Sequence, residues 1–235
     1  MFYFGPGAYI LIPAMIFTMI AQGMVSSAFG KYSRIRNSRN ISGVEAARRV
    51  LDRNGLQHVQ IRQINGHLTD HYDPRHRMLS LSPEVYGGNS ISAISVACHE
   101  AGHALQHAEG YIPLKLRNGI VPVVNFATKL TWPLMLIGVL LLFAGNGEYG
   151  YIGNLALDIA IIAFLAIVVF HLVTLPVEFN ASRRALDQME ELSIVASEDI
   201  AGSKKVLRAA AMTYVAALAL AVANLLRVLA IRGRN

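Results

Sequence analysis

The chain has 235 residues, of which 54% are hydrophobic, and it carries a formal net charge of +6. This composition is too apolar for an ordinary soluble enzyme of this length, and the single cysteine, Cys98, excludes an intramolecular disulfide. Four apolar runs, at 4–25, 120–145, 155–177 and 209–231, are long enough to cross a bilayer. We therefore predict a mainly α membrane protein with about four transmembrane helices.

The placement of Lys and Arg predicts the orientation of these helices. Both residues are frequent in 26–118 and 178–208, whereas none occurs in 145–154. Because cytoplasmic loops are enriched in Lys and Arg, we expect the first two segments to be cytoplasmic and the third to be external. The basic C-terminal tail conflicts with four crossings, so either the tail violates the rule or the last helix does not fully cross. A cleaved secretory signal is the alternative for 4–25, which lacks the basic start of such a signal.

The first cytoplasmic segment is predicted to be a small α+β region with the order helix, antiparallel sheet, helix. Ser42-Gly-Val-Glu45 is a capping box, and Gly55 is expected to end the helix that follows it. Residues 57–64 alternate in hydrophobicity, Asn65-Gly66 indicates a turn, and 77–82 is a second extended run. The basic charge favours contact with anionic lipid over nucleic acid, because no aromatic platform accompanies it.

The next helix, predicted at 90–107, carries the sequence His99-Glu100-Ala-Gly-His103. Two histidines four residues apart lie on one helix face and can bind one metal ion, and the adjacent Glu100 can activate a water molecule. Cys98 points about 100° away from His99 around the helix, so we expect it in the core. The pattern indicates a zinc peptidase.

A catalytic zinc needs a third protein ligand. Glu109 lies ten residues after His99, where one large peptidase class places a third histidine after a glycine that breaks the helix. Glu109 is rejected, because it is not a histidine and because Leu105 stands in place of that glycine. His107 lies about 12 Å from His99 along a straight helix, so we interpret it as a polar residue that supports the site. His171, inside an apolar run, is interpreted as a packed, hydrogen-bonded histidine, with a catalytic role as the alternative.

Glu178 is the preferred third ligand. It follows the third apolar run directly and starts the cytoplasmic segment 178–208, which we predict to be a helix. A surface glutamate at a helix start is the alternative. Small residues near Glu178 and near the two histidines would let the two helices approach closely: Ala181, Ser182 and Ala185, and Ala101, Gly102 and Ala104.

Four segments carry a resemblance to a known family: LTDHYDPR at 68–75, LSLS at 79–82, HEAGHALQ at 99–106 and LPVEFNAS at 175–182. The chain resembles the YugP-type neutral zinc metallopeptidases, which are bacterial membrane proteins, and more distantly the heat-shock-type membrane peptidases of the gluzincin group. In the latter group a Glu-x-x-Ala-Asp segment supplies the third ligand, which corresponds here to Glu178–Ser182. Serine replaces the aspartate, and it can still accept a hydrogen bond from a ligand histidine.

The mechanism that this resemblance implies is metal-assisted peptide hydrolysis, with one Zn²⁺ per chain held by His99, His103 and Glu178. Glu100 is expected to take a proton from the attacking water and to pass it to the leaving amine. The oxyanion needs a further donor. The candidates for this donor, or for a residue that supports a ligand, are Ser182, His171, Tyr72, His71 and Arg183. In the resembling peptidases a strand before the metal helix pairs with extended substrate, a role that we assign to Met78, Leu79, Ser80 and Leu81.

The function that follows is a membrane-bound endopeptidase whose site faces the cytoplasm and acts on membrane proteins or their cytoplasmic segments. Cleavage within the bilayer is disfavoured, because Glu100, His107 and Glu109 make the metal helix polar. The alternative is a non-catalytic zinc-containing scaffold or partner-binding subunit, which would have no need of Glu100. The polar run 70–73 is interpreted as a turn closed by Pro74, with a second metal site as the alternative.

Overall fold

The computed structural model describes residues 8–145 and 147–233, which contain seven helices and three strands. The helices are α1 Ala8–Tyr32, α2 Gly43–Arg53, α3 Pro83–Tyr86, α4 Ile91–Ala108, α5 Ile112–Ala144, α6 Glu148–Glu191 and α7 Ser197–Arg232. The strands are β1 Gln60–Gln63, β2 His71–Asp73 and β3 Met78–Leu81. Two compact units result: a first unit of Met1–Ile20, Leu116–Leu175 and Tyr214–Asn235, and a second unit of Ala21–Lys115 and Pro176–Thr213.

Four helices, α1, α5, α6 and α7, are long and apolar enough to cross a membrane. The mean hydropathy of their most apolar windows runs from 1.7 to 2.7. The prediction of a mainly α membrane protein with four spanning helices and a small α+β region is therefore confirmed. The predicted first helix began at residue 4, and its residues 4–7 lie outside the described residues.

In the first unit, α6 and α7 lie side by side. Leu157 and Phe164 of α6 share a buried apolar cluster with Val228 of α7. Arg232, at the end of α7, donates from Nε to Asp158 Oδ1 at 2.8 Å. The basic end of α7 therefore lies beside the early turns of α6, where Arg232 is paired with Asp158.

The separate helix predicted at 178–208 does not form. Instead, α6 continues through Pro176 to Glu191, and the chain breaks only at 192–196 before α7 begins. Ser193 adopts a left-handed φ of 47°, and the Ile194 N–H donates to the Met189 carbonyl at 3.0 Å. This is a Schellman ending with serine where glycine is usual, so no glycine marks the end of the helix in the sequence. Pro176 costs α6 one backbone hydrogen bond without ending it.

The small sheet is mixed rather than antiparallel. β3 is the central strand, parallel to β1 with Gln60 opposite Met78, and antiparallel to β2 with Tyr72 opposite Leu79. The turn at Asn65-Gly66 therefore does not connect two paired neighbouring strands. It leads from β1 to β2, a strand in the segment 70–73 that was predicted to be a polar turn. β2 has only three residues, too few for an alternating pattern to be recognised.

The larger buried apolar cluster of the second unit surrounds α4. Val50 of α2, Leu79 of β3, Ile94 of α4 and Met189 of α6 are all fully buried in it. The predicted capping box starts α2, with the Ser42 N–H donating to Glu45 Oε2 at 2.7 Å. Because α4 is packed by α2, by the sheet and by α6, the residues on its surface are held in fixed positions.

Candidate metal centre

Three side chains from two helices of the second unit converge on one point. His99 and His103 project from α4, and Glu178 projects from α6 with its Oε2 at 3.3 Å from His99 Nε2 and 3.7 Å from His103 Nε2. The three potential ligand atoms lie within 4.8 Å of one another. Ligand atoms about 2.0–2.2 Å from a tetrahedral zinc are separated by roughly 3.4 Å. The group could therefore hold a metal ion with little movement, and no second such group occurs among residues 8–145 and 147–233.

Burial makes a cation at this point favourable. Glu178 is 2% exposed, and the side chains of His99 and His103 are 13% and 11% exposed. A carboxylate with so little access to water is costly unless positive charge lies beside it. Burial lowers the pKa of His103, but the Glu178 and Glu100 carboxylates outweigh it and raise the pKa above its ordinary value. The lone pair of this ring thus lies in a negative potential that would also attract a metal cation.

The second nitrogen of each histidine is occupied by a polar side chain. Ser182 Oγ lies 3.2 Å from His99 Nδ1, and Gln106 Oε1 lies 3.0 Å from His103 Nδ1. Both rings therefore direct Nε2 towards Glu178. Ser182 was among the predicted site residues and Gln106 was not, although a polar residue three positions after a predicted ligand histidine lies on the same helix face and is a usable signal.

Glu100, the expected general base, is partly exposed, unlike the fully buried Ala101 and Ala104 on the same helix. Its position puts it about 100° around α4 from His99 and about 60° from His103. Solvent can therefore reach its carboxylate beside the two histidines, as a proton acceptor for water requires.

The expected oxyanion donors fall in different places. Tyr72 is half-buried, and its hydroxyl lies 2.9 Å from Nδ1 of His107 on α4; burial raises the pKa of Tyr72, so its proton is retained at neutral pH. His71, the preceding residue of β2, bonds through Nδ1 to the Thr69 carbonyl at 2.9 Å and points to the other face of the sheet. Arg183 is exposed about 140° around α6 from Glu178. His171 belongs to the first unit, whereas the metal group belongs to the second.

The assignment of Met78, Leu79, Ser80 and Leu81 as a substrate-pairing strand is wrong. These residues form β3, whose two edges are already paired with β1 and β2. A central strand has no free row of backbone groups to offer an added peptide. The error follows from missing β2, which occupies the edge that the sequence analysis left open.

Three other polar residues weighed as ligands have structural partners. Asp70 accepts from the Ser82 N–H at 2.7 Å, and Asp73 accepts from the Arg75 N–H at 2.8 Å. Glu109 forms two hydrogen bonds with Arg184, at 2.6 and 2.7 Å. Cys98 is fully buried, which raises the pKa of its thiol to about 12. Cys98 therefore lies in the core as predicted, whereas 71–73 is strand β2 rather than the predicted turn, with Asp73 accepting in the turn that follows it.

The close approach of α4 and α6 depends on Gly102. A Cβ at this position would lie 2.7 Å from the Ala181 carbonyl oxygen, a contact that the backbone cannot avoid without moving the helices apart. We expect Gly102→Ala to destabilise the protein by about 1–3 kcal/mol despite the better helix propensity of alanine. It should also weaken zinc binding roughly tenfold, because His99 and His103 move away from Glu178.

Thermal unfolding in detergent and zinc competition with a chromophoric chelator measure the two effects. Gly23→Ala is the matched control, since nothing lies within 4 Å of a Cβ at that position. Unchanged zinc affinity in a folded Gly102→Ala protein would contradict the role of this contact.

Residues 8–233 match the sequence profile of a family described as putative neutral zinc metallopeptidases. A protein of Bacillus subtilis strain 168, named putative membrane protease YugP, is 48% identical over 219 residues, which cover 93% of each chain. No solved structure matches the chain. A match that spans nearly the whole sequence, including both helices of the His99–His103–Glu178 group, places this chain in the family of putative neutral zinc metallopeptidases.

Proposed function

We propose that the chain is a membrane-bound zinc endopeptidase, with one Zn²⁺ held by His99, His103 and Glu178 and with Glu100 as general base. The observation that carries the proposal is the position of Glu178 Oε2, at 3.3 and 3.7 Å from the two histidine Nε2 atoms. A carboxylate buried there, beside two imidazoles and an accessible glutamate, is the donor set of a catalytic rather than a purely structural zinc site.

Each residue has a defined part in peptide hydrolysis. A bound zinc ion would polarise the scissile carbonyl and make water a stronger acid. Glu100 accepts a proton from the attacking water and delivers it to the nitrogen of the leaving amine. Tyr72 is the donor that we retain for the oxyanion, because its hydroxyl is protonated and contacts α4 through His107, four residues after His103.

The proposed setting is the cytoplasmic face of the bacterial plasma membrane. Two observations support it: Glu178 follows the apolar run 155–177 directly, and Lys and Arg are frequent in 26–118 but absent from 147–154. The proposed partners are lipid around the four apolar helices and, as substrates, membrane proteins or their cytoplasmic segments. The Bacillus subtilis relative is named as a membrane protease, which agrees with this setting.

Metal removal tests the proposal. Detergent-purified protein should contain about one zinc per chain and should cleave an unstructured, fluorescence-quenched protein substrate. Chelation should abolish cleavage, and one equivalent of zinc should restore it, because the ion supplies the electrophile. Cleavage that continues after elemental analysis shows the metal to be gone would overturn the proposal. Zinc binding without cleavage of any substrate would favour the scaffold alternative.

A further inference from the structure

We propose that Gln106 is a positioning residue that holds His103 in the tautomer whose Nε2 is free to bind metal. The inference rests on the proposed metal centre, and it concerns a residue for which the motif itself specifies no role. Gln106 lies on α4 three residues after His103 and is 0% exposed. A fully buried primary amide is costly unless its donors and its acceptor are all used.

All the polar atoms of Gln106 have partners. Its Oε1 lies 3.0 Å from His103 Nδ1. Its Nε2 donates to the Val177 carbonyl of α6 at 2.8 Å and to Asn180 Oδ1 at 2.9 Å. The amide thus links one histidine of α4 to the backbone of α6 at the residue that precedes Glu178.

The orientation of this amide follows from what its partners can do. A backbone carbonyl only accepts hydrogen bonds, so the group facing Val177 must be the NH₂ of Gln106. Asn180 Oδ1 also accepts from Arg184 Nε at 2.8 Å, and a guanidinium only donates. Asn180 therefore presents its oxygen to Gln106 as well, and both partners require the same orientation. The Gln106 oxygen is left facing His103.

The position of the Gln106 oxygen then selects one tautomer of His103. In the neutral ring, the nitrogen that faces an amide oxygen must carry the single proton, so Nδ1 is the donor and Nε2 carries the lone pair. The opposite tautomer would direct an N–H at the position of the metal and would leave two acceptors in contact. Ser182, beside His99, cannot impose this choice by itself, because a hydroxyl can either donate or accept. Gln106 is therefore the more specific of the two histidine partners.

Two substitutions separate positioning from packing. Gln106→Met keeps the side-chain volume and removes the acceptor, so zinc affinity should fall about 10- to 100-fold. Gln106→Glu keeps an acceptor for His103 Nδ1 but places an oxygen against the Val177 carbonyl and Asn180 Oδ1. It should lower the melting temperature of the metal-free protein more than Gln106→Met does, while its zinc affinity stays within a few-fold of wild type.

The measurements are chelator competition for zinc, thermal unfolding of the metal-free protein, and ¹⁵N-histidine NMR at a pH where the ring is neutral. The NMR signal of His103 should report a proton on Nδ1 in wild type and a mixture of tautomers in Gln106→Met. Gln188→Met is the matched control. Gln188 is a partly buried glutamine of the second unit, bonded to Asn54 and Glu191, and its loss should change neither zinc affinity nor the His103 signal.

The outcomes are distinct for the metal centre and for Gln106. If the loss of zinc affinity paralleled the loss of melting temperature of the metal-free protein in both Gln106→Met and Gln106→Glu, Gln106 would be only a packing residue. That result would overturn the inference. A wild-type His103 ring with its proton on Nε2 would overturn it without reference to zinc. If the wild-type protein bound no zinc but carried a proton on His103 Nδ1, the proposed function would be contradicted. The positioning role of Gln106 would still be supported.

Discussion

Replacing Glu178 by glutamine is expected to abolish stable zinc binding. The substitution keeps the shape of the side chain but removes the only negative charge among the three proposed ligands, in a position that is 2% exposed. Breaking a buried charge pair by removing one partner costs about 3–5 kcal/mol, so we expect zinc affinity to fall roughly a thousandfold. The metal content of the purified protein, together with its affinity in chelator competition, measures this loss.

The matched control is Glu109→Gln, the same chemical change at an acidic residue of the second unit that was also considered as a ligand. Glu109 is exposed and paired with Arg184, so its substitution should leave zinc affinity unchanged. Melting temperatures of the metal-free proteins show whether each variant is folded. A folded Glu178→Gln protein with wild-type zinc affinity would place the third ligand elsewhere and remove the observation on which the proposed function rests.

The features that the sequence predicted well depend on neighbours along the chain. The helical spacing of four residues alone brings His99 and His103 to one face of α4. The capping box at Ser42 and the glycine ending of α2 at Gly55 likewise involve hydrogen bonds within five residues. Local patterns of this kind can be read without knowing the fold, because the partner is fixed by the sequence separation.

The features that the sequence analysis missed depend on what the fold places opposite a residue. Tyr72 belongs to a strand only because β3 pairs with it, and three residues are too few to predict that pairing. One partner of Gln106 is the Val177 backbone carbonyl, which no pattern of side chains in the sequence marks. Glu178 could be predicted as a candidate ligand because ligand chemistry restricts the candidates to His, Cys, Asp and Glu, whereas any residue can supply a carbonyl.

Replacing Glu100 by glutamine is expected to separate metal binding from catalysis. Glu100 is adjacent to His99 but is not one of the three grouped ligands, so the variant should keep about one zinc per chain. Its amide cannot accept a proton from water, and loss of a general base lowers kcat by roughly 10²- to 10⁴-fold. KM should change little, because the side chain is not expected to hold the substrate.

The measurement is steady-state cleavage by the zinc-loaded variant beside wild type and Glu109→Gln, which removes an exposed carboxylate at the end of the same helix and should cleave normally. A fall in kcat at full zinc occupancy would support water activation by Glu100 and would exclude a site that holds zinc for structure alone. If Glu100→Gln cleaved as fast as wild type with equal zinc, proton transfer would have to pass through another group. Tyr72 and His107, hydrogen-bonded to each other beside α4, would be the next residues to replace.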